Sequence, residues 1–388
     1  MKVLVVAGAR PNFMKIAPLI NALNAHNRRN GPSGRTITYK LIHTGQHYDT
    51  KLSKLFFEEL NIPQPDINLE VGSNSHAKQT ADIMNRFEDV CLQEKPSHIM
   101  VVGDVNSTIA CALVAAKLSI KVIHVEAGLR SFDRSMPEEI NRVLTDAISD
   151  ILFTTEEDAA ANLMREGICA DKIHFVGNVM IDTLLQHRER AAQSTILHQL
   201  GLHNQGPKEY AVVTLHRPSN VDDRGTFSGI LEALAQIGGR LPIIFPVHPR
   251  TQACLRRFDL LSYFSGFMGN TPAISNNGGG LFGIEPLGYY DFLNLMSNAK
   301  LVLTDSGGVQ EETTILGVPC VTLRENTERP ITLNSGTNVL AGLKKENIVE
   351  CSLRQLNTPG EKRTPPLWDG KAADRVVNIL VNEASSPN

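Results

Sequence analysis

The sequence predicts an α/β protein with two doubly wound halves, each a parallel sheet with helices on both faces. Short apolar runs rich in β-branched residues alternate with longer amphipathic stretches along the chain, which is typical of that class. The length of 388 residues exceeds the size at which one hydrophobic core keeps growing, so two domains are expected. The alternating pattern also breaks once near the middle and then restarts.

The first half contains six apolar runs that predict strands. They lie near Val3–Val6, Thr36–His43, His98–Val102, Lys121–Val125, Ile151–Thr154 and His174–Val176. The clearest helix between them starts at Pro137, because proline suits a first helical turn and Glu138 and Glu139 suit the positive end of the helix dipole. Its apolar residues share one face: Ile140, Val143, Leu144, Ala147 and Ile148.

The break falls between about Asp182 and Pro207, where a charged helix gives way to a polar loop. We therefore expect an N-terminal domain over residues 1–190, a second domain over residues 207–365 and a C-terminal segment, 366–388. That segment contains the amphipathic stretch Ala372–Glu383, which is expected to fold back on the first domain. Strands of the second domain are predicted near Tyr210–Leu215, Ile243–Pro246, Lys300–Thr304 and Val318–Leu323, and Gly269–Gly280 reads as a surface loop.

Composition argues against several classes of protein. The chain has 38 basic and 41 acidic residues and no Lys/Arg-rich block, so nucleic acid is not an expected partner. No apolar stretch approaches the ~20 residues that cross a bilayer. The six cysteines lie far apart without metal-ligand spacing, which predicts reduced thiols, a cytoplasmic protein and no bound metal. A GxGxxG fingerprint is missing after the first strand, so neither NAD nor another cofactor is expected.

Ligands of open α/β sheets bind beyond the carboxyl ends of the strands, so the residues after each strand are candidates. The first strand is followed by a glycine turn and by Arg10 and Lys15 at a helix start. Both cations could face a phosphate, although two solvated charges are the simpler alternative.

Three acidic residues follow predicted strands or open a helix in the first half. Asp104 could be only a helix cap, and Glu138 could form only an ion pair with Arg142 one turn later. Glu126 stands at the mouth of the sheet, where a charge is costly unless it is paired or used. Together the three carboxylates favour a proton-transfer site, because like charges held close push their pKa values apart into acid and base roles.

The second half offers a different set of groups. Ser306, Gly307 and Gly308 form a tight turn between a strand and a helix, where backbone N–H groups and the helix dipole suit a diphosphate. Glu311 or Glu312 in the next turn could accept hydrogen bonds from ribose hydroxyls, or could be a surface glutamate. His216 and His248 each follow a strand, and position alone separates them weakly. Arg329 lies in a polar loop.

In this order the segments closely resemble the non-hydrolysing UDP-N-acetylglucosamine 2-epimerase family, from Met1 to about Gly342. The most specific parts are Gly8-Ala9-Arg10-Pro11 with Lys15, Thr44-Gly45-Gln46-His47, His124–Arg130, Pro137–Arg142, Asp305-Ser306-Gly307-Gly308 with Glu311-Glu312, and Thr327–Pro330. The resemblance implies two Rossmann-like domains of the glycosyltransferase-B type with the active site between them. It also implies a UDP-sugar substrate and a homodimer.

The resemblance assigns residues to roles. It implies that Asp104, Glu126 and Glu138 are catalytic acids and that His216 lies near the departing UDP. Substrate-binding positions are implied for Arg10, Lys15, Arg142, Ser306, Gly307, Gly308, Glu312 and Arg329. The segment His216-Arg217-Pro218-Ser219-Asn220 departs from the pattern of many bacterial members in a region that the family links to activation by a second substrate molecule, whereas the possible allosteric residues Gln46 and His47 are present.

The chemistry explains why such residues are needed. The proton on C2 of an N-acetylhexosamine is feebly acidic, and oxidation of a neighbouring carbon would need the missing dinucleotide fingerprint. The resemblance implies anti elimination of UDP to 2-acetamidoglucal, followed by re-addition with C2 protonated from the other face. The alternatives are an epimerase of a decorated substrate such as a UDP-linked 2,3-diacetamido uronic acid, a glycosyltransferase of the same fold, and a non-catalytic sugar-nucleotide sensor.

Overall fold

The computed structural model describes residues 1–31, 36–45, 57–202, 210–267, 279–357 and 363–384, with the side chain of Arg10 excepted. Contacts divide the chain into two compact units. Unit 1 comprises Met1–Gln186 with Pro366–Asn388, and unit 2 comprises His187–Pro365. The predicted fold class, two Rossmann-like α/β domains of the glycosyltransferase-B type, is confirmed, since each unit is built on one parallel sheet.

Unit 1 contains a seven-stranded parallel sheet in the order β3-β2-β1-β4-β5-β6-β7. Its strands are β1 (Lys2–Ala7), β2 (Thr38–His43), β3 (Ile67–Asn68), β4 (His98–Val102), β5 (Lys121–Ala127), β6 (Ile151–Thr154) and β7 (Ile173–Phe175). Its helices are α1 (Arg10–Asn30), α2 (His76–Glu94), α3 (Asn106–Lys117), α4 (Pro137–Ala147), α5 (Glu157–Arg165) and, near the C-terminus, α15 (Ala372–Glu383), while α6 (Val179–Ala191) begins in unit 1 and ends in unit 2.

The central strands of unit 1 are buried on both faces, which explains their continuous apolar sequence. In β1, Val3, Leu4 and Val5 have no exposed surface. The strand order reverses between β1 and β4, and this is the point of a doubly wound sheet where ligands bind. The turns that follow β1 and β4 therefore flank the expected ligand crevice of unit 1.

The C-terminal helix α15 packs within unit 1 and contacts α1. The carboxylate of Asp182 caps it by accepting the N–H groups of Ala372 and Ala373, at 3.1 and 2.7 Å. Just before this helix, the buried Trp368 donates its indole N–H to the carbonyl of Thr155 at 2.9 Å. These bonds fix the last described segment to the first half of the chain.

Unit 2 repeats the architecture with the order β10-β11-β9-β8-β12-β13-β14, again all parallel. Its strands are β8 (Ala211–Thr214), β9 (Pro242–Pro246), β10 (Gly266–Phe267), β11 (Gly280–Ile284), β12 (Leu301–Thr304), β13 (Cys320–Thr322) and β14 (Asn338–Leu340). Its helices are α7 (Ile196–Gln199), α8 (Pro218–Val221), α9 (Arg224–Gly238), α10 (Pro249–Arg257), α11 (Tyr289–Ser297), α12 (Gly307–Leu316), α13 (Pro330–Asn334) and α14 (Lys345–Asn357). The order reverses between β8 and β12.

Two features of the fold differ from the sequence pattern. The strands β3, β10, β11 and β14 have no counterpart among the predicted strands. The predicted loop Gly269–Gly280 falls mostly outside the described residues, and its last residue begins β11. Helix α4 buries its polar residues, including Asn141 and Arg142, and exposes Ile140 and Leu144 at 46% and 50%.

Within the described part of the chain, no helix has the length and apolar character that a bilayer crossing requires.

Candidate active site

Asp104 lies at the carboxyl end of β4 in unit 1 and is not a helix cap. The N-cap of α3 is Val105, and no side chain caps that helix. The Asp104 carboxylate instead accepts a hydrogen bond from the Nη1 group of Arg142 on α4. Arg142 is 2% exposed and Asp104 is 23% exposed, so the carboxylate remains reachable while its partner is buried.

Arg142 also holds a second carboxylate. Its Nε and Nη2 groups donate to Oε2 of Glu139 at 3.0 and 2.9 Å. Burial alone would raise the pKa of Glu139, but the Ser131 N–H group and the Arg142 charge outweigh it and hold that pKa below the ordinary value. One guanidinium therefore bridges the ionised Glu139 and Asp104.

The turn that carries Asp104 is fixed at three successive carbonyl groups. Asn12 Nδ2 donates to the Val102 carbonyl at 3.0 Å, and Asn141 Nδ2 donates to the Asp104 carbonyl at 2.9 Å. Between them, Nε2 of His124 lies 2.8 Å from the Gly103 carbonyl oxygen. With three carbonyls held, the Asp104 backbone has little freedom to move.

Glu126 ends the neighbouring strand β5 and pairs with Lys15 of α1. The Lys15 Nζ and Glu126 Oε1 atoms are 2.6 Å apart, and the side chains are 8% and 2% exposed. Glu126 has a φ of 72°, in the left-handed region, beside a register shift between Val125 and Ala127. A non-glycine residue in that region is strained, and such strain clusters at functional sites.

Gly103 makes the Lys15–Glu126 contact possible. It has a φ of +66°, and a Cβ atom at this position would lie 2.7 Å from Lys15 Nζ and 3.7 Å from Glu126 Oε1. The turn that positions Asp104 thus also leaves space for the cation that pairs with Glu126. The structure brings Asp104, Glu126, Lys15 and Arg142 to one edge of the unit 1 sheet.

Glu138 differs from its neighbour Glu139. Glu139 is buried and accepts the N–H groups of Ser131 and Phe132, whereas Glu138 is half-buried in the first turn of α4. Among the described residues, no hydrogen bond or ion pair engages the Glu138 carboxylate. Arg10 begins α1, but its side chain lies outside the described atoms, and Gln46 and His47 also lie outside the described residues.

A buried charge network supports this edge, and the sequence argument did not identify it. Asp146 Oδ1 lies 2.6 Å from His124 Nδ1, and Asp146 Oδ2 lies 2.7 Å from Arg130 Nη1. Burial would raise the pKa of Asp146, but His124 and Arg130 hold it below its ordinary value. His124 and Arg130 stand in the His124–Arg130 motif beside Glu126, and this was the available signal.

In unit 2 the corresponding edge centres on Asp305, which follows β12 and has no exposed surface. Its Oδ2 atom accepts the backbone N–H groups of His216 and Arg217, both at 2.9 Å. Its Oδ1 atom lies 2.9 Å from His216 Nδ1. Asp305 stands in the motif Asp305-Ser306-Gly307-Gly308, which by itself indicates no role for the aspartate. Its position directly after a buried strand was the signal.

The structure separates the two candidate histidines. His216 Nδ1 lies 2.9 Å from the carboxylate of the buried Asp305, and the His216 side chain is 46% exposed. His248 instead caps α10, where its Nδ1 atom accepts the Arg250 N–H at 3.3 Å. The two rings are 6.2 Å apart. His216 is therefore the histidine that is both held by a buried acid and accessible to a ligand.

The turn after β12 forms the N-terminus of the ten-residue helix α12. Ser306 is the N-cap, no side chain caps the helix, and Gly307 and Gly308 form its first turn. A Cβ atom at Gly307 would lie 2.6 Å from Glu328 Oε1, so only glycine allows that carboxylate so close to the helix start. This helix end has the backbone N–H groups and dipole that suit an anion.

Two glutamates of α12 have different surroundings. Glu311 Oε1 lies 2.7 Å from Nε of Arg329, and both side chains are buried. Glu312 accepts the Tyr289 hydroxyl at 3.2 Å. Burial, together with the charge of Glu311, raises the pKa of Glu312 to about 8, so it carries a proton at neutral pH. The structure thus places Arg329 against Glu311 and Glu312 against Tyr289.

Comparison with known proteins identifies the family. The family model described as UDP-N-acetylglucosamine 2-epimerase matches residues 32–381. A UDP-N-acetylglucosamine 2-epimerase of Methanococcus maripaludis is 43% identical over 384 residues, covering 98% of this chain and 99% of that protein. The UDP-2,3-diacetamido-2,3-dideoxy-D-glucuronate 2-epimerase of Pseudomonas aeruginosa is 38% identical over 383 residues, covering 98% and 99%.

A solved structure agrees with the sequence relatives. The crystal structure of Methanocaldococcus jannaschii UDP-GlcNAc 2-epimerase in complex with UDP-GlcNAc and UDP is 44% identical, with a TM-score of 0.86. The match covers 98% of this chain and 100% of that one. This protein therefore belongs to the UDP-N-acetylglucosamine 2-epimerase family.

Proposed function

We propose that this protein interconverts UDP-N-acetylglucosamine and UDP-N-acetylmannosamine by eliminating UDP across C1 and C2 and adding it back. The observation that carries the proposal is that Asp104, just after β4, and Glu126, near the end of the neighbouring strand β5, face different cations, Arg142 and Lys15. Two carboxylates in unlike surroundings can take opposite roles in proton transfer. Membership of the family supports the same reaction.

In the proposed forward reaction, a carboxylate removes the C2 proton and the C1–O bond to UDP breaks. The electrons of the C2–H bond form the C1–C2 double bond, and those of the C1–O bond remain on the β-phosphate oxygen. Re-addition of UDP with protonation of C2 from the opposite face gives the epimer. Asp104, Glu126 and Glu138 supply the base and the acid, and losing one such group typically costs ~10²–10⁴-fold in rate.

Cationic and N–H groups are proposed to bind UDP and stabilise its leaving charge. His216, Arg329 and the turn of Ser306, Gly307 and Gly308 in unit 2 have this role, with Arg10 from unit 1. Glu312 is proposed to bind the ribose, since a protonated carboxyl can both donate to and accept from hydroxyl groups. Lys15 and Arg142 are also proposed to bind the substrate. In addition, they balance the charges of the carboxylates with which they pair, Glu126 and Asp104.

The proposed substrate is UDP-N-acetylglucosamine rather than a decorated sugar. Relatives named for it are 43–44% identical to this chain, against 38% for the diacetamido-glucuronate enzyme. The test is incubation with each UDP-sugar alone, followed by ¹H and ³¹P NMR. The proposal predicts UDP-N-acetylmannosamine from UDP-N-acetylglucosamine. Free N-acetylmannosamine with UDP would indicate hydrolysis, and an unchanged substrate would indicate a glycosyltransferase or a sensor.

We also propose that the protein is a homodimer joined through α2 and α4. Between these helices lies a groove of about 410 Å³ whose lining includes Ala81, Met84 and Ile140. Of the described residues, no Asp, Glu, Lys or Arg lines it. A two-fold interface requires a self-complementary face, and an uncharged groove beside the exposed Leu144 meets that requirement.

The six free cysteine thiols support a proposed cytoplasmic location.

A further inference from the structure

Asp305 is completely buried, and donors surround its carboxylate. Two backbone N–H groups, those of His216 and Arg217, bond to Oδ2, and Asn220 Nδ2 approaches the same atom at 3.3 Å. At Oδ1 the Nδ1 atom of His216 lies at the ion-pair distance of 2.9 Å, and no hydrogen bond from a described residue reaches Oδ1. A buried carboxylate oxygen requires a donor, so the His216 Nδ1 atom carries a proton.

The charge of Asp305 follows from the same contacts. Burial would raise its pKa, but His216 and the backbone N–H groups of Arg217 and His216 hold it below the ordinary value. Asp305 is therefore ionised at neutral pH. An anion beside Nδ1 fixes the ring orientation and stabilises a positive charge on the imidazole.

The remaining nitrogen of His216 is available to a ligand. Among the described residues, nothing bonds to Nε2, and the side chain is 46% exposed. His216 follows β8 and Asp305 follows β12, the two strands between which the order of the unit 2 sheet reverses. The turn of Ser306, proposed to bind the diphosphate, begins at the next residue.

We propose that Asp305 is a positioning residue: by holding His216 at Nδ1 it orients the ring so that an Nε2–H group donates to the β-phosphate of the leaving UDP. The proposal rests on the proposed function and assigns the part of it that acts on the leaving group. As the C1–O bond breaks, charge grows on the phosphate oxygen, and a cationic donor stabilises that charge more than a neutral one. Asp305 does not touch the substrate and acts through His216.

Asp305→Asn tests this role with little change of shape. The amide oxygen can still accept the His216 and Arg217 N–H groups, while the amide NH₂ group faces His216 Nδ1. That nitrogen must then accept, so the ring becomes neutral with its proton on Nε2. We expect kcat to fall about 10²-fold, which is the effect of losing one contact that stabilises charge in the transition state. We expect KM to change less than threefold. Asp222→Asn, which alters an exposed ion pair with Arg250, is the matched control and should retain normal activity.

The readout independent of activity is ¹⁵N NMR of histidine-labelled protein with and without UDP, with the His216 signals assigned by their loss in His216→Asn. The proposal predicts that both Nδ1 and Nε2 carry protons in the wild type with UDP bound, and that Nδ1 is unprotonated in Asp305→Asn. An unprotonated Nδ1 in the wild type, or an unprotonated Nε2 in its UDP complex, would overturn the proposal, and neither result depends on Asp305→Asn. If wild-type protein fails to epimerise, the proposed function fails while the NMR result still decides the His216–Asp305 relationship.

A double mutant completes the test. If Asp305 acts through His216, then adding Asp305→Asn to His216→Asn lowers kcat no further. If the fold-losses in kcat of the two single variants instead multiply in the double variant, Asp305 acts independently of His216 and the assignment is overturned.

Discussion

Lys15 Nζ lies 2.6 Å from Glu126 Oε1, and the pair is buried at the edge of the unit 1 sheet. The two residues are 111 positions apart in the chain. A buried ion pair contributes little net stability, because the cost of desolvating both charges offsets their attraction. Removing one partner is expensive, however, since the other charge remains buried without compensation.

Lys15→Met should therefore destabilise the protein strongly. We expect the free energy of unfolding to fall by about 3 kcal/mol, because removing one partner of a buried ion pair leaves the other desolvated without that attraction. Urea denaturation followed by circular dichroism measures this change. Lys40→Met is the control, since Lys40 pairs with Glu94 while 40% exposed and should cost less than about 1 kcal/mol. The double variant Lys15→Met with Glu126→Gln should recover much of the loss, and no recovery would contradict this explanation.

Gly103→Ala should damage activity as well as stability. The added Cβ would lie 2.7 Å from Lys15 Nζ and would displace it from Glu126. Gly167→Ala is the matched control, because Gly167 also has a positive φ, +89°, with nothing within 4 Å of the added atom. Each variant should lose about 1–2 kcal/mol of stability from the left-handed backbone. Only Gly103→Ala should lower kcat, by at least about tenfold, in an NMR assay of epimerisation. Equal kcat values for the two variants would contradict a role for the Lys15 position.

Glu312 should make stability fall as the pH rises. Its pKa is raised from 4.5 to about 8 in the folded protein, so its favourable contribution is fully present below pH 4.5 and is lost as the pH rises to about 8. In that window the free energy of unfolding falls by at most about 1.4 kcal/mol per pH unit. Glu312→Gln lacks the ionisation, so relative to wild type it should gain stability between pH 5 and pH 8 in urea titrations. A constant stability difference across that range would exclude the protonated state of Glu312.

Ile140→Glu and Leu144→Glu should convert the proposed dimer to a monomer. Both side chains lie on the exposed face of α4, at 46% and 50% exposure, and a charge there would be buried in the interface. Light scattering after size-exclusion chromatography measures the mass, which should fall to the 42.5 kDa of one chain. Met164→Glu, on α5 at 53% exposure, is the control and should leave a dimer. A monomeric wild type, or variants that remain dimeric, would exclude this surface.

The sequence alone was sufficient for the parts of the fold that bury long apolar runs. The predicted strands His98–Val102 and Ile151–Thr154 have the observed bounds, because both are central strands without polar alternation. Strands β3 and β10 have two residues each, which is too short to give a pattern. In β11, two glycines hide the strand, although Gly280 and Gly283 pair in register with β9.

The sequence also located the strand ends where candidate residues gather, but not their partners. The four-residue spacing of Glu138 and Arg142 allows an ion pair one helical turn apart, and in the structure Arg142 instead bonds to Asp104, 38 positions earlier in the chain. Pairing across that distance depends on how α4 packs against the sheet edge, which spacing along a helix does not encode. The packing of α4 also explains why its apolar face is exposed. The helix turns its polar face toward the charged residues of the site, so the apolar face is left toward solvent.

The proposed reaction requires that the carboxylates of unit 1 remove the proton from C2. The decisive measurement is ¹H NMR of UDP-N-acetylglucosamine incubated in D₂O with wild type, Asp104→Asn and Glu126→Gln. The account predicts that wild type forms UDP-N-acetylmannosamine with deuterium at C2, and that both variants lose at least ~10²-fold in rate while still binding UDP. A wild-type product that keeps its original C2 hydrogen, or near-normal exchange by both variants, would contradict it.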